Sequence, residues 1–549
     1  MNTTVQLALK EWKAARAALS NAVQSYLAAC HTLDIACATP LRRSAERIKI
    51  GESLLAVDSE FVSLAAEEHS VLNPQKSLTM RRNHSATLAP VNRLPPEILA
   101  HVFALLLQRC NGHAWRFHDP AAVCAYWRQV ALNATDLWSH VDIDADRPGG
   151  WTNLFFERAA GFPIYVHVNE PVLYCEHEIQ IPQEMTRKTL DLLVPHIRRI
   201  NTLEIAACSG NGDFLSHVLN KWLDYGSINS SNSLVVHVPP TSPVLLAPGA
   251  NASGGDRIGI TRSRNAEELL RLLGTLHLQN AYFDWSSSVY HGLVELQLGF
   301  NCDYSDSPII STLQFTKILC ASPALTTLKL DRLGIRQAGV GKEPAPVLMG
   351  HLKTLNLVGM QPKSLALVLP LISLSGSLAG IRLGISLYNR VLGVLEEFLT
   401  RSRITTLYCK DTGDDKHLGS PRLPSPRSLN NIRALVLDTV GSSNMPLFVR
   451  ADPPISRSPS FYPPSVTILG AMPLEDLEGF VSGYGIRELC LASCATGSKN
   501  HKPPKLKRHQ AALLKMHPQL KCSISDVDLT SGWSCRTMFE SWTWEPTFP

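Results

Sequence analysis

Hydrophobic and polar residues follow two rhythms along this chain, a helical one over roughly the first 140 residues and a strand-like one after it. Residues 3–38 contain no Pro or Gly and are rich in Ala, which predicts one long helix. Trp12, Leu19, Tyr26 and Leu33 recur every seven residues, and Ala15, Ala22, Ala29 and Ala36 stand three positions after each. This is a seam with large residues at one heptad position and small ones at the other. Pro40 ends the helix. A second amphipathic stretch, 41–72, carries Ile48, Leu55, Phe61 and Leu64. Two readings are open for the pair: a hairpin packed on itself or on the next domain, or a dimerising coiled coil. The stretch before the next motif, 73–91, is polar and basic and reads as a linker.

The next element opens with Leu94-Pro95-Pro96-Glu97-Ile98-Leu99. Two prolines followed by a glutamate predict a helix start, because proline lacks the amide proton that the first turn leaves unpaired anyway. The carboxylate also favours the positive end of the helix dipole. Ile98, Leu99, Val102, Phe103 and Leu106 then fall on one helical face. After a polar loop, Pro120 opens a second helix whose apolar side includes Val123, Cys124, Trp127, Val130 and Ala131. Leu137-Trp138 follows a short polar break.

This ordered set over residues 94–138 resembles an F-box, and the lead-in to it, with Asp58-Ser59-Glu60 and the run from Arg82 through Leu88-Ala89-Pro90 into Leu94, is similar to the F-box proteins of mushroom-forming (basidiomycete) fungi. The polar loop around Cys110 to His118 is longer than the family's turn. The resemblance implies a trihelical module that docks onto the Skp-type adaptor of a cullin–RING ubiquitin ligase. Carried over to matching positions, it implies that Leu94, Pro95, Ile98, Leu99, Val102 and Phe103 supply the first part of the docking surface. Val123, Cys124, Trp127, Leu137 and Trp138 form the rest, some of them chiefly as internal core. The physical reading agrees. A module of about 45 residues is too small to cover all these apolar side chains by itself.

Beyond the module the pattern Leu-x-x-Leu-x-Leu recurs, allowing Ile or Cys. It is seen as Ile200/Leu203/Ile205, Leu273/Leu276/Leu278, Leu293/Leu296/Leu298, Leu325/Leu328/Leu330 and Leu352/Leu355/Leu357. It continues as Leu378/Ile381/Leu383, Ile404/Leu407/Cys409, Ile432/Leu435/Leu437 and Ile486/Leu489/Leu491. The central positions 328, 355, 381, 407 and 435 are spaced by 27, 26, 26 and 28 residues. The last step, 54 residues from 435 to 489, predicts a degenerate unit at Val466 to Leu469. The step of 73 residues from 203 to 276 predicts two hidden units, one of them around Leu234 to Val238. A period of 26–28 fits leucine-rich repeats, each a short strand followed by a return segment. Helical returns are expected at 312–320, 365–374 and 392–399, and Asn301 matches the asparagine of the usual repeat.

Such an array presents a concave face of parallel strands suited to holding another protein. The positions between the leucines on that face are Glu295, Gln297, Lys329, Lys353, Asn356, Arg382, Tyr408, Lys410 and Arg433. As a mixed, mildly basic set they suggest an acidic or polar protein target.

Composition narrows the class further. Charged residues are only 18% of the chain and hydrophobic ones 45%, which excludes a mostly disordered protein. The balance of 52 basic and 47 acidic residues, +5, is too small over 549 residues to mark a nucleic-acid binder. Thirteen scattered cysteines with no Cys-x-x-Cys pair speak against a disulfide framework. The N-terminus has no secretory signal pattern. Residues 365–385 are apolar enough for a membrane span, but Pro370, Gly376, Gly380 and Arg382 interrupt them and the repeat accounts for them. No phosphate loop, dinucleotide fingerprint, kinase set, nucleophile elbow or paired-His zinc signature occurs. Cys490, Cys494, His501 and Cys522 match no common zinc spacing. The basic run 502–508 reads as a solvated loop or as a nuclear localisation patch. Trp533, Trp542 and Trp544 read as a cap on the last repeat.

The expected fold is therefore α + α/β: a helical or coiled-coil region over 1–72, a linker over 73–91 and a trihelical F-box over 92–140. A connecting segment over 141–195 then leads into an irregular leucine-rich-repeat solenoid with a C-terminal cap over 196–549. The expected function is the substrate-recognition subunit of a Skp–cullin–F-box ligase, non-catalytic, cytoplasmic or nuclear. It would need no cofactor or metal and contact neither nucleic acid nor membrane. The alternative is an interaction scaffold that uses an F-box-like fold outside any ligase.

Overall fold

In the computed structural model the two rhythms become two kinds of structure. The structure describes residues 3–38, then 90–410 except 110–117, 144–149, 171–172, 176–177, 181–182, 208–211, 240–242, 250–256, 302–306, 340–343 and 375–379. Beyond 410 it describes 423–425, 428–438, 465–469, 474, 477–478, 480–481, 486–492 and 504–525. The chain divides into two compact units, Met1–Pro95 with Cys124–Tyr126, and Pro96–Val123 with Trp127–Pro549.

In the first unit, helix α1 spans Thr3–Ala38, as the uninterrupted Ala-rich run predicts. Trp12, Leu19 and Tyr26 of the seam are exposed, and the Arg16 guanidinium lies over the Trp12 ring at 5.8 Å. The second amphipathic stretch, 41–72, and most of the linker lie outside the described residues.

The second unit combines helices with a large parallel sheet. Helix α2 spans Pro96–Arg109, and α3 (His118–Val123) is followed by α4 (Ala125–Asn133), whose first two residues belong to the first unit. The single second helix expected from Pro120 onward is thus broken at Cys124. A 3-10 turn, Thr135–Trp138, leads into the sheet.

That sheet has fourteen strands, all parallel, lying in the order in which the chain makes them. They are β1 (His140–Ile143), β2 (Ile164–Asn169), β3 (Ile200–Ala206), β4 (Ser233–His237), β5 (Thr275–Gln279), β6 (Glu295–Gly299) and β7 (Thr327–Asp331). The second half comprises β8 (Thr354–Leu357), β9 (Ile381–Ser386), β10 (Ile404–Lys410), β11 (Ala434–Asp438), β12 (Ser465–Leu469), β13 (Glu488–Ala492) and β14 (Lys521–Ser525). The sheet is open, with β1 and β14 at its edges.

Parallel strands require crossover connections, and helices fill several of them. Helix α5 (Thr312–Ala321) starts at a Ser311/Gln314 capping box, α6 (Pro362–Leu371) carries Pro at its first turn, and α7 spans Leu392–Arg401. The Arg401 guanidinium donates to the carbonyls of Leu369 and Ile372, tying α7 to the end of α6. Within the apolar window 365–385, residues 365–371 lie in α6, Ile372–Ser373 form a short strand and 381–385 lie in β9. Among the described residues no helix is long and apolar enough to cross a membrane.

One ladder of side chains runs through every strand. It passes from Val141 through Val166, Leu203, Leu234, Leu276, Leu296 and Leu328. It continues through Leu355, Leu383, Leu407, Leu435, Val466 and Leu489 to Cys522. Every member from Val141 to Leu489 is buried, and each fully buried leucine contributes about 1.5–3 kcal/mol. Alternation does the rest: with a period of two, residues on either side of each ladder position point to the opposite face.

Two expectations are corrected here. The segment 141–195 does more than connect, because β2 and most of β1 lie in it and extend the same sheet. Only one strand, β4, lies between Leu203 and Leu276 in the sheet. The other hidden unit is absent from the ladder. Val244–Pro248 instead forms a separate three-stranded parallel sheet with Arg257–Ile260 and Ala281–Phe283. Asn280 directs this departure. At φ +54° it turns the chain from β5 towards Ala281, and its carbonyl accepts from Val244 N at 2.9 Å. Its side-chain nitrogen Nδ2 donates to Val238 O at 2.8 Å, while its side-chain oxygen accepts from Asn301 N. The buried bridging asparagine is thus Asn280, and Asn301 is exposed.

The basic run also differs from expectation. Its described part opens helix α8 (Pro504–Met516) and is not a loop. The three C-terminal tryptophans lie outside the described residues.

Candidate functional site

The module at residues 94–138 divides its apolar residues between core and surface. On α2, Leu99 and Phe103 are fully buried, whereas Ile98 is 50% exposed and Val102 37% exposed. Leu105 and Leu106 are exposed as well. The helical face expected to act as one is therefore two. Leu99 and Phe103, four residues apart, anchor the helix, while Ile98, Val102, Leu105 and Leu106 at i, i+4, i+7 and i+8 form an adjoining solvent-facing row. Val123 at the end of α3 is also exposed.

The remaining candidate residues split the same way. The Phe103 ring meets Trp127, itself half-buried, with ring centroids 5.1 Å apart. Leu137 and Trp138 are buried. Trp138 donates its indole N–H to Ala131 O at 2.9 Å and lies 4.9 Å from the Phe155 ring, with the Arg158 guanidinium over its face. These contacts place Leu137 and Trp138 in the core where the module runs into β1, the internal role expected for some of this set. In the first unit, Pro95 is exposed, Leu94 and Cys124 are half-buried, and the Tyr126 hydroxyl donates to Leu94 O at 3.1 Å.

The sheet face opposite the leucines changes character along its length. In its first half Asp142, His167 and Glu204 share one register line, continued by Val235 and His277. His167 Nδ1 lies 3.4 Å from Asp142, His237 Nε2 lies 3.2 Å from Glu204, and His277 Nε2 lies 3.5 Å from Glu295. Burial alone would raise the Glu204 carboxyl. The hydrogen bond from His237 and the charges of His167, His237 and His277 outweigh it and hold the group down at about 2. The hydrogen bond from His277 similarly lowers the Glu295 carboxyl. Of this cluster the sequence pattern marks Glu295 alone, as a target-facing position. The only other signal is that each residue except His237 sits next to a ladder position, and all six of the cluster's strands precede the evenly spaced units that begin at Leu328.

Of the positions predicted to face a target, Glu295, Gln297 and Lys329 are half-buried on this face, and Lys353, Arg382 and Arg433 are exposed. Tyr408 is not a surface residue. It is buried against Leu469 with Val358 and Val436, opposite the side-chain-free Gly384, and its hydroxyl donates to the buried Asp438. Asn356 is buried too, its side-chain oxygen accepting from Val358 N at 3.1 Å.

Cys490 and Cys522 stand on the neighbouring strands β13 and β14, and burial, with Cys490 nearby, raises the Cys522 thiol. Cys494 and His501 lie outside the described residues. No group of three His, Cys, Asp or Glu among the described residues is arranged to hold a metal ion. No protein-family model, curated protein or solved structure matches this chain.

Proposed function

We propose that residues 92–140 are an F-box and that the sheet with its return helices is an irregular leucine-rich-repeat solenoid. The chain is then the substrate-recognition subunit of a Skp–cullin–F-box ubiquitin ligase. The F-box holds the adaptor and the sheet holds the target. The chain makes no bond itself. It accelerates ubiquitin transfer by holding target lysines near the charged conjugating enzyme.

The observation that carries this reading is the exposed row of Ile98, Val102, Leu105 and Leu106 on a helix whose other side is locked by Leu99 and Phe103. A rigid helix presenting an uncovered apolar row matches what adaptor docking requires. Leu94→Ala with Pro95→Ala is expected to abolish co-purification with a Skp-type adaptor while leaving the cooperative melt of the sheet unchanged. Ile98→Asp with Val102→Asp should do the same through exposed positions alone. Undiminished adaptor capture by both variants would overturn the ligase reading. Failure of the wild-type chain to capture any adaptor would favour a scaffold outside the ligase.

A further inference from the structure

The sheet is electrostatically split. Residues 140–300 hold 11 basic and 17 acidic residues, a net −6, whereas 301–525 hold 26 basic and 15 acidic residues, a net +11. The overall +5 conceals two regions of opposite sign.

In the second half the charge is arranged along one edge, where the strands begin. Lys353, Arg382, Arg403, Arg433, Arg487 and Lys521 are all exposed there. Arg382 N donates to Lys353 O at 2.9 Å and Lys521 N to Arg487 O at 2.9 Å, so these pairs are neighbours across adjacent strands, with Arg433 on a strand between them. Lys521 is offset by a carboxylate, Glu488 at 3.1 Å. Lys353, Arg403, Arg433 and Arg487 form no ion pair with a described residue. From β8 to β14 there are six strand spacings of about 4.8 Å, so the row is about 29 Å long, the reach of about nine extended residues.

We propose that this cationic edge docks an acidic, extended segment of the target protein, and that the carboxylate-bearing first half of the sheet keeps the segment from binding there. The inference rests on the target-binding role proposed above for the sheet. Charge complementarity selects the partner's sign and steers its approach. In the first half Asp142, Glu204 and Glu295 present carboxylates, and Glu204 is held ionised. An acidic segment is therefore confined to the second half. Nucleic acid fits less well, because no Phe, Tyr or Trp side chain is exposed among the described residues of the second half to stack a base.

The test uses the full chain and a fluorescent peptide of about nine glutamates, followed by anisotropy at low and moderate salt. Three proteins are compared: wild type, Arg382→Glu/Arg433→Glu/Arg487→Glu, and the control Arg257→Glu/Arg264→Glu/Arg271→Glu in the first half. All six positions are exposed, so thermal melts should be unchanged. The wild type and control should bind alike, and the edge variant at least about tenfold more weakly. Equal affinity for all three proteins would overturn the proposal, as would an equal loss in the control. Tighter binding of a single-stranded RNA of matched charge, lost in the edge variant, would assign the edge to nucleic acid and overturn it as well. Adaptor co-purification, which uses the F-box, should be the same in all three. Its absence from the wild type would sink the ligase reading and leave the peptide result standing.

Discussion

The two halves of the sheet share one core and present two different faces. Leu203 in β3 and Leu355 in β8 occupy the same ladder and are equally buried. One residue further along their strands stand Glu204, ringed by imidazoles, and Asn356, buried in a side-chain to backbone hydrogen bond. The inward positions must be apolar and of similar volume to stack, so little variation is tolerated there. The outward positions answer to no such constraint. That difference teaches where variation is admitted: the leucines make the array, and the residues between them give each half its own charge.

The comparison can be broken most severely at the ladder. Leu203→Ala and Leu355→Ala should each cost about 3 kcal/mol, and by similar amounts, because both leave a cavity in a continuous core. Chemical denaturation followed by circular dichroism measures this. A loss below about 1 kcal/mol in one half only would mean that the two halves do not share a core.

A smaller effect separates the faces. The Glu204 carboxyl is depressed to about 2 in the folded chain, against an ordinary value near 4.5. A depressed carboxyl contributes stability that is fully present above about pH 4.5 and is lost as pH falls towards about 2. At 1.36 kcal/mol per pKa unit, a fall from about 4.5 to about 2 corresponds to about 3 kcal/mol. Glu204→Gln should remove that portion of the acid sensitivity, seen as a flatter plot of unfolding free energy between about pH 4.5 and 2. An unchanged slope would mean that the histidines do not stabilise the carboxylate.

The least effect belongs to the exposed pair of Lys521 and Glu488. Lys521→Ala should change stability by less than about 0.5 kcal/mol, since screened surface pairs contribute little. A melting curve that moves by several degrees would show that the edge cations stabilise the sheet and are not free to serve a partner.

Much of this architecture was legible beforehand because it depends on short-range periodicity. The spacing of the central leucines locates β7 to β11, the doubled final step locates β12, and the helical returns expected between the repeat strands locate α5, α6 and α7. The failures have one cause in common. Tyr408 was read as exposed because it alternates with leucines, but Gly384 in the neighbouring strand leaves room for its ring and Asp438 takes its hydroxyl. The second hidden unit was misplaced because Asn280, in the left-handed region, turns the chain into a second sheet. In the helical module at 94–138, periodicity puts Ile98, Leu99, Val102 and Phe103 on one face. The structure shows that face divided at the edge of the core. In each case the decisive contact joins residues distant in sequence, and no local pattern encodes it.

The sequence by itself determined the class of structure: a long N-terminal helix, short helices behind a Leu-Pro-Pro-Glu motif, and a train of strands whose leucines must stack. These follow from backbone propensity and from the need to bury apolar side chains at fixed intervals. Only the tertiary structure decided which apolar residues of α2 stay uncovered and that three histidines from separate strands gather near Glu204. It alone placed six cations, scattered over almost 170 residues, along one edge. Parallel pairing brings residues about a full repeat apart to within about 4.8 Å, so the charge of a face is set by register and not by neighbourhood in the chain.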